Sequence, residues 1–170
     1  MVDPNVARWF EQVDKTRRGR LNAAELQEAL KNNNYSSFDI NVVAAMIEMF
    51  DKDRTKTINL NEFNELWKFL GSWRQCFDRF DNDRSGQIDA GELSTALQQL
   101  GYRFSQHFVP VLMQKFDYSG RASHLQFDGF VMALIKIQRL TTAFQPYDRQ
   151  RNGTAQFTYE QFLATVIQNT

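Results

Sequence analysis

Side chains that carry oxygen recur at two-residue intervals between residues 81 and 92. Acidic or hydroxyl residues stand at positions 1, 3 and 5 of this segment, glycine stands at position 6 and glutamate at position 12. Ca²⁺ takes about six to eight oxygen ligands, and a loop with this spacing supplies them from positions 1, 3, 5, 7, 9 and 12. The sequence therefore predicts a calcium site with these ligands: Asp81, Asp83, Ser85, Gln87 (through its backbone carbonyl), Asp89 and Glu92.

Residues 51–62 form a second loop with a full set of oxygen ligands but a less favourable turn. Lys56 occupies the position where a glycine normally adopts a positive φ, and three basic residues balance the three acids of the loop. Occupation by calcium and retention for shape alone both remain open for this loop. Its candidate ligands are Asp51, Asp53, Thr55, Thr57, Asn59 and Glu62.

Residues 14–25 form a third, weaker candidate. Asp14, Thr16 and Glu25 can act as ligands, whereas Arg18 at position 5 offers no oxygen. Four basic residues outweigh the two acids of this loop, so we expect weak calcium binding or none.

Two further Asp-initiated segments, 117–128 and 148–160, depart from the ligand pattern. Arg121 and Ala122 stand at the ligand and turn positions of the first, and Tyr159 stands at position 12 of the second with Glu160 one step late. We expect both segments to be structural.

Each of the five loops lies between apolar stretches of helical periodicity, which is the helix–loop–helix plan of the EF-hand. The loops begin at Asp14, Asp51, Asp81, Asp117 and Asp148. Two of the intervals leave no room for a linker, so one helix from 63 to 80 and one from 131 to 144 must each serve two loops. The sequence therefore predicts an all-α fold of about eight helices, two of them shared between neighbouring hands.

The many aromatic residues have two interpretations. Core packing between helices explains most of them, and Trp67, Trp73 and Phe77 on the 63–80 helix are alternatively a target-binding surface.

Composition excludes several functional classes. Twenty basic residues balance twenty acidic ones, so nucleic acid is not expected as a partner. Cys76 is the only cysteine, and no apolar run is long enough to cross a bilayer, which favours a soluble cytoplasmic protein. His107 and His124 have no nucleophile at a readable spacing, so we do not expect an enzyme.

The chain resembles the penta-EF-hand family over essentially all of residues 1–170, which implies a single domain of five hands. The segments that carry the resemblance are 62–67, 80–86, 96–102 and 159–162. Sorcin, peflin, the apoptosis-linked calcium adaptor and the calpain domains belong to this family, and the sequence does not choose among its subgroups.

The resemblance implies how the hands pair. Short β-bridges should join Leu21 to Ile58 and Ile88 to Leu125, which leaves the fifth hand without a partner in the chain. In this family the fifth hand pairs with that of a second subunit, giving a homodimer or a heterodimer. The expected dimer residues are Phe144, Phe157, Tyr159, Phe162, Leu163 and Val166.

Three functions are compatible with these expectations. The leading one is a calcium sensor and adaptor that exposes a surface for protein targets, and also for membranes, when calcium binds. The alternatives are a non-catalytic regulatory subunit of an enzyme, as in the calpain small subunit, and a calcium buffer.

Overall fold

The fold is all-α, as the sequence predicts, in a computed structural model that describes residues 2–32 and 38–169. The described residues contain eight helices and four two-residue strands. The helices are α1 (Pro4–Val13), α2 (Ala23–Asn32), α3 (Ile40–Phe50), α4 (Leu60–Phe80), α5 (Ala90–Gln99), α6 (Phe108–Phe116), α7 (Phe127–Phe144) and α8 (Tyr159–Asn169). The strands are β1 (Arg20–Leu21), β2 (Ile58–Asn59), β3 (Ile88–Asp89) and β4 (His124–Leu125).

The strands join the hands in pairs. Strand β1 is antiparallel to β2, with Leu21 opposite Ile58, and β3 is antiparallel to β4, with Ile88 opposite Leu125. All four of these apolar side chains are fully buried, so each bridge also anchors its two loops in the core. The predicted pairing of hands is confirmed.

Helix α4 begins at a capping box formed by the last residues of the second loop. The Asn59 side chain accepts the backbone N–H of Glu62, and the Glu62 carboxylate accepts the backbone N–H of Asn59. The helix then continues without interruption to Phe80, and the third loop begins at the next residue. Because α4 ends one hand and begins the next, movement of either loop acts on the same rigid element.

Helix α7 has the same double role in the C-terminal half. It follows β4 closely and ends at Phe144, four residues before the loop that begins at Asp148. Both predicted shared helices are therefore confirmed.

Aromatic contacts along α4 form the centre of the core. Phe63 packs edge-on against Phe10 at 5.6 Å between ring centroids, and Phe77 packs against Phe127 and Phe130 at 5.5 and 5.4 Å. Each buried phenylalanine contributes about 1.5–3 kcal/mol to folding relative to an exposed one. These contacts fix α4 between α1 and α7.

The position of Phe77 corrects one interpretation of the aromatic residues. Its side chain is fully buried, so in this conformation it belongs to the core and cannot contact a target. Trp67 and Trp73 are only partly buried, and they pack against Trp9 and Phe130 at 4.7 and 6.3 Å between ring centroids.

Among the described residues, none of the helices combines the length and the apolar character that crossing a bilayer requires.

Candidate metal centre

The first residue of the third loop organises the turn around it. Asp81 follows the last residue of α4, and its carboxylate oxygens accept the backbone N–H groups of Ser85 and Gly86, both at 2.9 Å. Gly86 has a φ of +76°, which is the left-handed conformation that its position in the loop requires. The Asp81 side chain is thus held facing the loop interior.

The last residue of the third loop is fixed by a capping box at the start of α5. Asp89 accepts the backbone N–H of Glu92 at 2.8 Å, and the two oxygens of Glu92 accept the backbone N–H groups of Asn82 and Asp89 at 2.8 and 3.1 Å. These contacts pre-position the bidentate ligand before a cation arrives.

Three carboxylates of the third loop converge. Oxygens of Asp81, Asp83 and Glu92 all lie within 4.8 Å of one another, whereas Asp89 caps the helix outside this group. The Ser85 hydroxyl lies 3.5 Å from an Asp81 oxygen and donates to the Gln87 carbonyl at 3.0 Å, and hydrogen bonds from Ser85 lower the pKa of Asp83. An oxygen-only, strongly anionic donor set of this kind suits Ca²⁺.

The second loop brings a similar set together. Oxygens of Asp51, Asp53 and Glu62 also lie within 4.8 Å of one another. Asp51 accepts the backbone N–H groups of Thr55 and Lys56 at 2.9 and 2.6 Å, so the turn has the same form as in the third loop.

The second loop forms this turn at a cost, as its sequence predicts. Lys56 adopts a φ of 57° in the left-handed region, which favours glycine. The hydroxyl oxygens of Thr55 and Thr57, both predicted ligand residues, lie 2.8 Å apart.

The first loop keeps its turn but loses its converging carboxylates. Asp14 accepts the backbone N–H groups of Arg18 and Gly19 at 3.0 and 2.7 Å. The Arg18 guanidinium, however, donates to both oxygens of Glu25 at 3.1 Å. The predicted ligand Thr16 lies 3.5 Å from Asp14 through its hydroxyl.

The fourth loop has no closing carboxylate at all. The capping-box position three residues after the N-cap is Glu25, Glu62 or Glu92 in the first three loops, and it is Gly129 here. Asp117 accepts from Ser119 and Ser123 rather than from the residues four and five positions on. Asp128 accepts the backbone N–H of Asp39 at 3.1 Å instead, and burial raises its pKa.

The fifth loop retains the turn and replaces the closing acid. Asp148 accepts the backbone N–H groups of Asn152 and Gly153 at 3.1 and 2.8 Å. The capping box is formed by Thr158 and Gln161, so the loop runs to residue 161 rather than 160. The end of the fifth loop is found correctly when loop positions are counted back from the helix cap instead of forward from Asp148.

The residues predicted to form a dimer lie on an exposed apolar surface of the fifth hand. Tyr159, Phe162 and Leu163 are exposed on α8, and Ile167, which is not among the predicted dimer residues, is 73% exposed on the same helix. Phe144, Phe157 and Val166 are half-buried. We call the α8 side chains Tyr159, Phe162, Leu163, Val166 and Ile167 the α8 face.

A second apolar surface was also missed by the sequence reasoning. It lies after α5 and along α6, and its exposed side chains are Leu100, Phe104, Phe108 and Val111. The rings of Phe104 and Phe108 lie 4.6 Å apart, and Phe104 stacks on Tyr102 at 5.6 Å. The sequence shows these apolar residues, but only the structure shows which of them are exposed.

Comparison with known proteins gives the same picture. A family model described as an EF-hand domain pair matches residues 5–68 and 72–134. Peflin from Danio rerio is 38% identical over 166 residues, which cover 98% of this chain and 62% of that protein. Sorcin from Mus musculus is 35% identical over 153 residues, which cover 88% of this chain and 76% of that protein.

A solved structure extends the likeness to the fold. A homolog of programmed cell death 6 protein from Leishmania major Friedlin superposes with a TM-score of 0.81 and 31% sequence identity, covering 97% of this chain and 94% of that one. The chain spans about three fifths of the length of the peflins that it matches. Five helix–loop–helix units, oxygen-rich loops and relatives that match nearly all of this chain agree, and the chain belongs to the penta-EF-hand family of calcium-binding proteins.

Proposed function

We propose that this chain is a non-catalytic calcium sensor and adaptor, and that residues 1–170 act as one penta-EF-hand domain. The observation that carries the proposal is the convergence of Asp81, Asp83 and Glu92 at the junction of α4 and α5. In that pocket backbone N–H groups already orient Asp81 and Glu92, so the acids face a common centre before a divalent cation binds.

The charge of the third loop explains why calcium would act on the protein. Within the third loop one basic residue, Arg84, opposes four acidic ones: Asp81, Asp83, Asp89 and Glu92. Like charges at this separation repel one another. A divalent cation removes that repulsion and draws Glu92, at the start of α5, towards Asp81, at the end of α4. Binding would therefore change the angle between the two helices.

This movement would affect an exposed apolar surface beside the third hand. Leu100 follows α5 directly, and Phe104, Phe108 and Val111 continue the exposed surface onto α6. A change in the direction of α5 alters the accessibility of this surface to an apolar segment of a partner protein. Trp73 lies on α4 itself, two turns before the third loop, and packs against Phe130.

The α8 face supports a second element of the proposal, which is dimerisation. No strand pairs with the fifth loop among the described residues, and α8 packs chiefly against α7. A second fifth hand would cover its exposed apolar side chains, as an isologous interface requires. If the covering chain is a different penta-EF-hand protein, the same face serves the regulatory-subunit function, which co-purification of a catalytic chain would reveal.

Calcium titration followed by tryptophan fluorescence and by a hydrophobic dye tests the sensor function. We expect both signals to change with a single dominant saturation, to respond little to magnesium, and to be lost in Glu92→Gln. Trp73→Phe identifies the reporter, because Trp9 and Trp67 lie against the first hand. Absence of any change up to millimolar calcium would contradict the sensor mechanism.

A further inference from the structure

The predicted ligands at positions 3 and 5 of the second loop already accept hydrogen bonds from a positively charged side chain of the protein. The Arg20 guanidinium donates to both oxygens of Asp53, at 2.8 and 3.3 Å, and to the Thr55 hydroxyl at 2.7 Å. This fork geometry matches a carboxylate and gives stronger contacts than a single donor. The neighbouring guanidinium also depresses the pKa of Asp53 well below its usual range.

The β-bridge between the first two hands brings Arg20 to this place. Arg20 is the first residue of β1 and lies opposite Asn59 of β2, so its side chain starts within the second loop's reach. Arg20 is position 7 of the first loop, which ordinarily contributes only a backbone carbonyl to its own site. Its side chain is therefore not required as a ligand in the first loop and can contact the second loop.

The first loop uses the same device within itself. Arg18 donates to both oxygens of Glu25, the residue that would close a calcium site there. Both loops of the first pair thus hold a guanidinium against predicted calcium ligands.

The third loop differs in this respect. Within the described part of the chain, every ion pair shorter than 4.0 Å involves acids outside residues 81–92. The residue that corresponds to Arg20 is His124, which lies opposite Asp89 in the β3–β4 bridge, and its ring contacts the Ser123 hydroxyl at 3.0 Å. The carboxylates of the third loop therefore lack the internal cation that the second loop has.

We propose that Arg20 is an internal competitor of calcium at the second loop. A calcium ion bound by Asp53 and Thr55 would lie close to the guanidinium that the same side chains hold, and repulsion between the two cations opposes simultaneous binding. Calcium must therefore displace Arg20, so the second loop fills at a higher calcium concentration than the third. The displaced side chain belongs to the first hand, which makes that hand responsive to calcium although its own loop lacks a full ligand set.

This inference rests on the proposed calcium binding by the acidic loops, and the test separates the two. Calcium calorimetry on the full chain compares Arg20→Gln with the parent, in the wild-type and the Glu92→Gln backgrounds. The Glu92→Gln background isolates the second loop from the third. Arg54→Gln is the matched control, because it removes the same charge from an exposed side chain of the second loop itself.

In the Glu92→Gln background we expect Arg20→Gln to tighten calcium binding about tenfold, and Arg54→Gln to tighten it by a clearly smaller factor. Arg20→Lys should fall between the parent and Arg20→Gln, because lysine keeps the charge but not the fork. The tightest site of the wild-type background should keep its affinity in all three variants.

Equal effects of Arg20→Gln and Arg54→Gln would overturn the competitor role, since general charge would then explain both. An absence of calcium binding in every Glu92→Gln variant would overturn it as well. A parent protein that has no tight calcium site would instead contradict the proposed sensor function.

Discussion

Two helical glycines show how local space decides the role of a residue. Gly71 lies within α4, where a Cβ atom would meet open space, and Gly129 lies in the first turn of α7, where a Cβ atom would collide with the carbonyl oxygen of Phe116. The same residue type is thus dispensable at one position and required at the other.

We predict opposite effects of alanine at these two positions. Gly71→Ala should raise the free energy of unfolding by about 0.5–1 kcal/mol, because alanine has the higher helix propensity. Gly129→Ala should lower it by about 2 kcal/mol or more, because α6 and α7 must move apart. Urea unfolding of the calcium-free protein measures both, and two changes of the same sign would contradict this account.

At the residue scale, three carboxylates among the predicted ligands converge in each of the second and third loops. The sequence did not predict which of those ligands face a basic side chain. Arg20 is separated from Asp53 by more than thirty residues, and only the register of β1 on β2 brings the two together. A contact of that kind depends on tertiary structure, and the spacing of residues along the sequence does not predict it.

Among the helices, the sequence predicted the type of each element better than the register of the irregular loops. The two shared helices followed from apolar periodicity, and the capping pairs Asn59–Glu62 and Asp89–Glu92 match the loop-closing glutamates. In the fifth loop an insertion shifts this pair to Thr158–Gln161, whereas α7, after the fourth loop, begins at Gln126 without a side-chain cap. Where a side-chain cap forms, it satisfies backbone N–H groups and is a firmer landmark than the first Asp of the loop.

Helix α8 carries the prediction that belongs to this scale. Its exposed apolar side chains recur at intervals of three and four residues, so they form one stripe on the helix surface. We expect the full chain to be dimeric at micromolar concentration, and the double variant Phe162→Glu, Ile167→Glu to be monomeric, since two charges would be buried at the interface.

Analytical ultracentrifugation measures this change. Val111→Glu is the control, because Val111 is 55% exposed but lies on α6, outside the fifth hand. A monomeric parent protein, or equal dissociation by Val111→Glu, would contradict dimerisation through the α8 face.

At the scale of the whole molecule, the five hands divide into three kinds of site. The third loop offers converged carboxylates without an internal cation, the second offers converged carboxylates held by Arg20, and the others lack a converged set among the described residues. This gradation fits a sensor with one dominant site better than a buffer, which needs several equivalent ones.

The buried contacts between hands explain how one site could affect the rest. Asp128 of the fourth hand accepts the backbone N–H of Asp39 at the start of α3, and Phe77 of α4 packs against Phe127 of α7. The sequence gives no sign of the Asp39–Asp128 contact, since 89 residues separate the two. In the proposed mechanism calcium at the third loop would act on α4, and α4 contacts both halves of the molecule.

The central claim is that calcium binds most tightly between Asp81 and Glu92. Calorimetric titration of the wild type, Glu92→Gln and Glu25→Gln tests it directly, because the two variants carry the same substitution at the same loop position. We predict that Glu92→Gln weakens the tightest site about a hundredfold or more, which is about 2.7 kcal/mol, and that Glu25→Gln leaves it intact. An unchanged tightest site in Glu92→Gln would contradict the account.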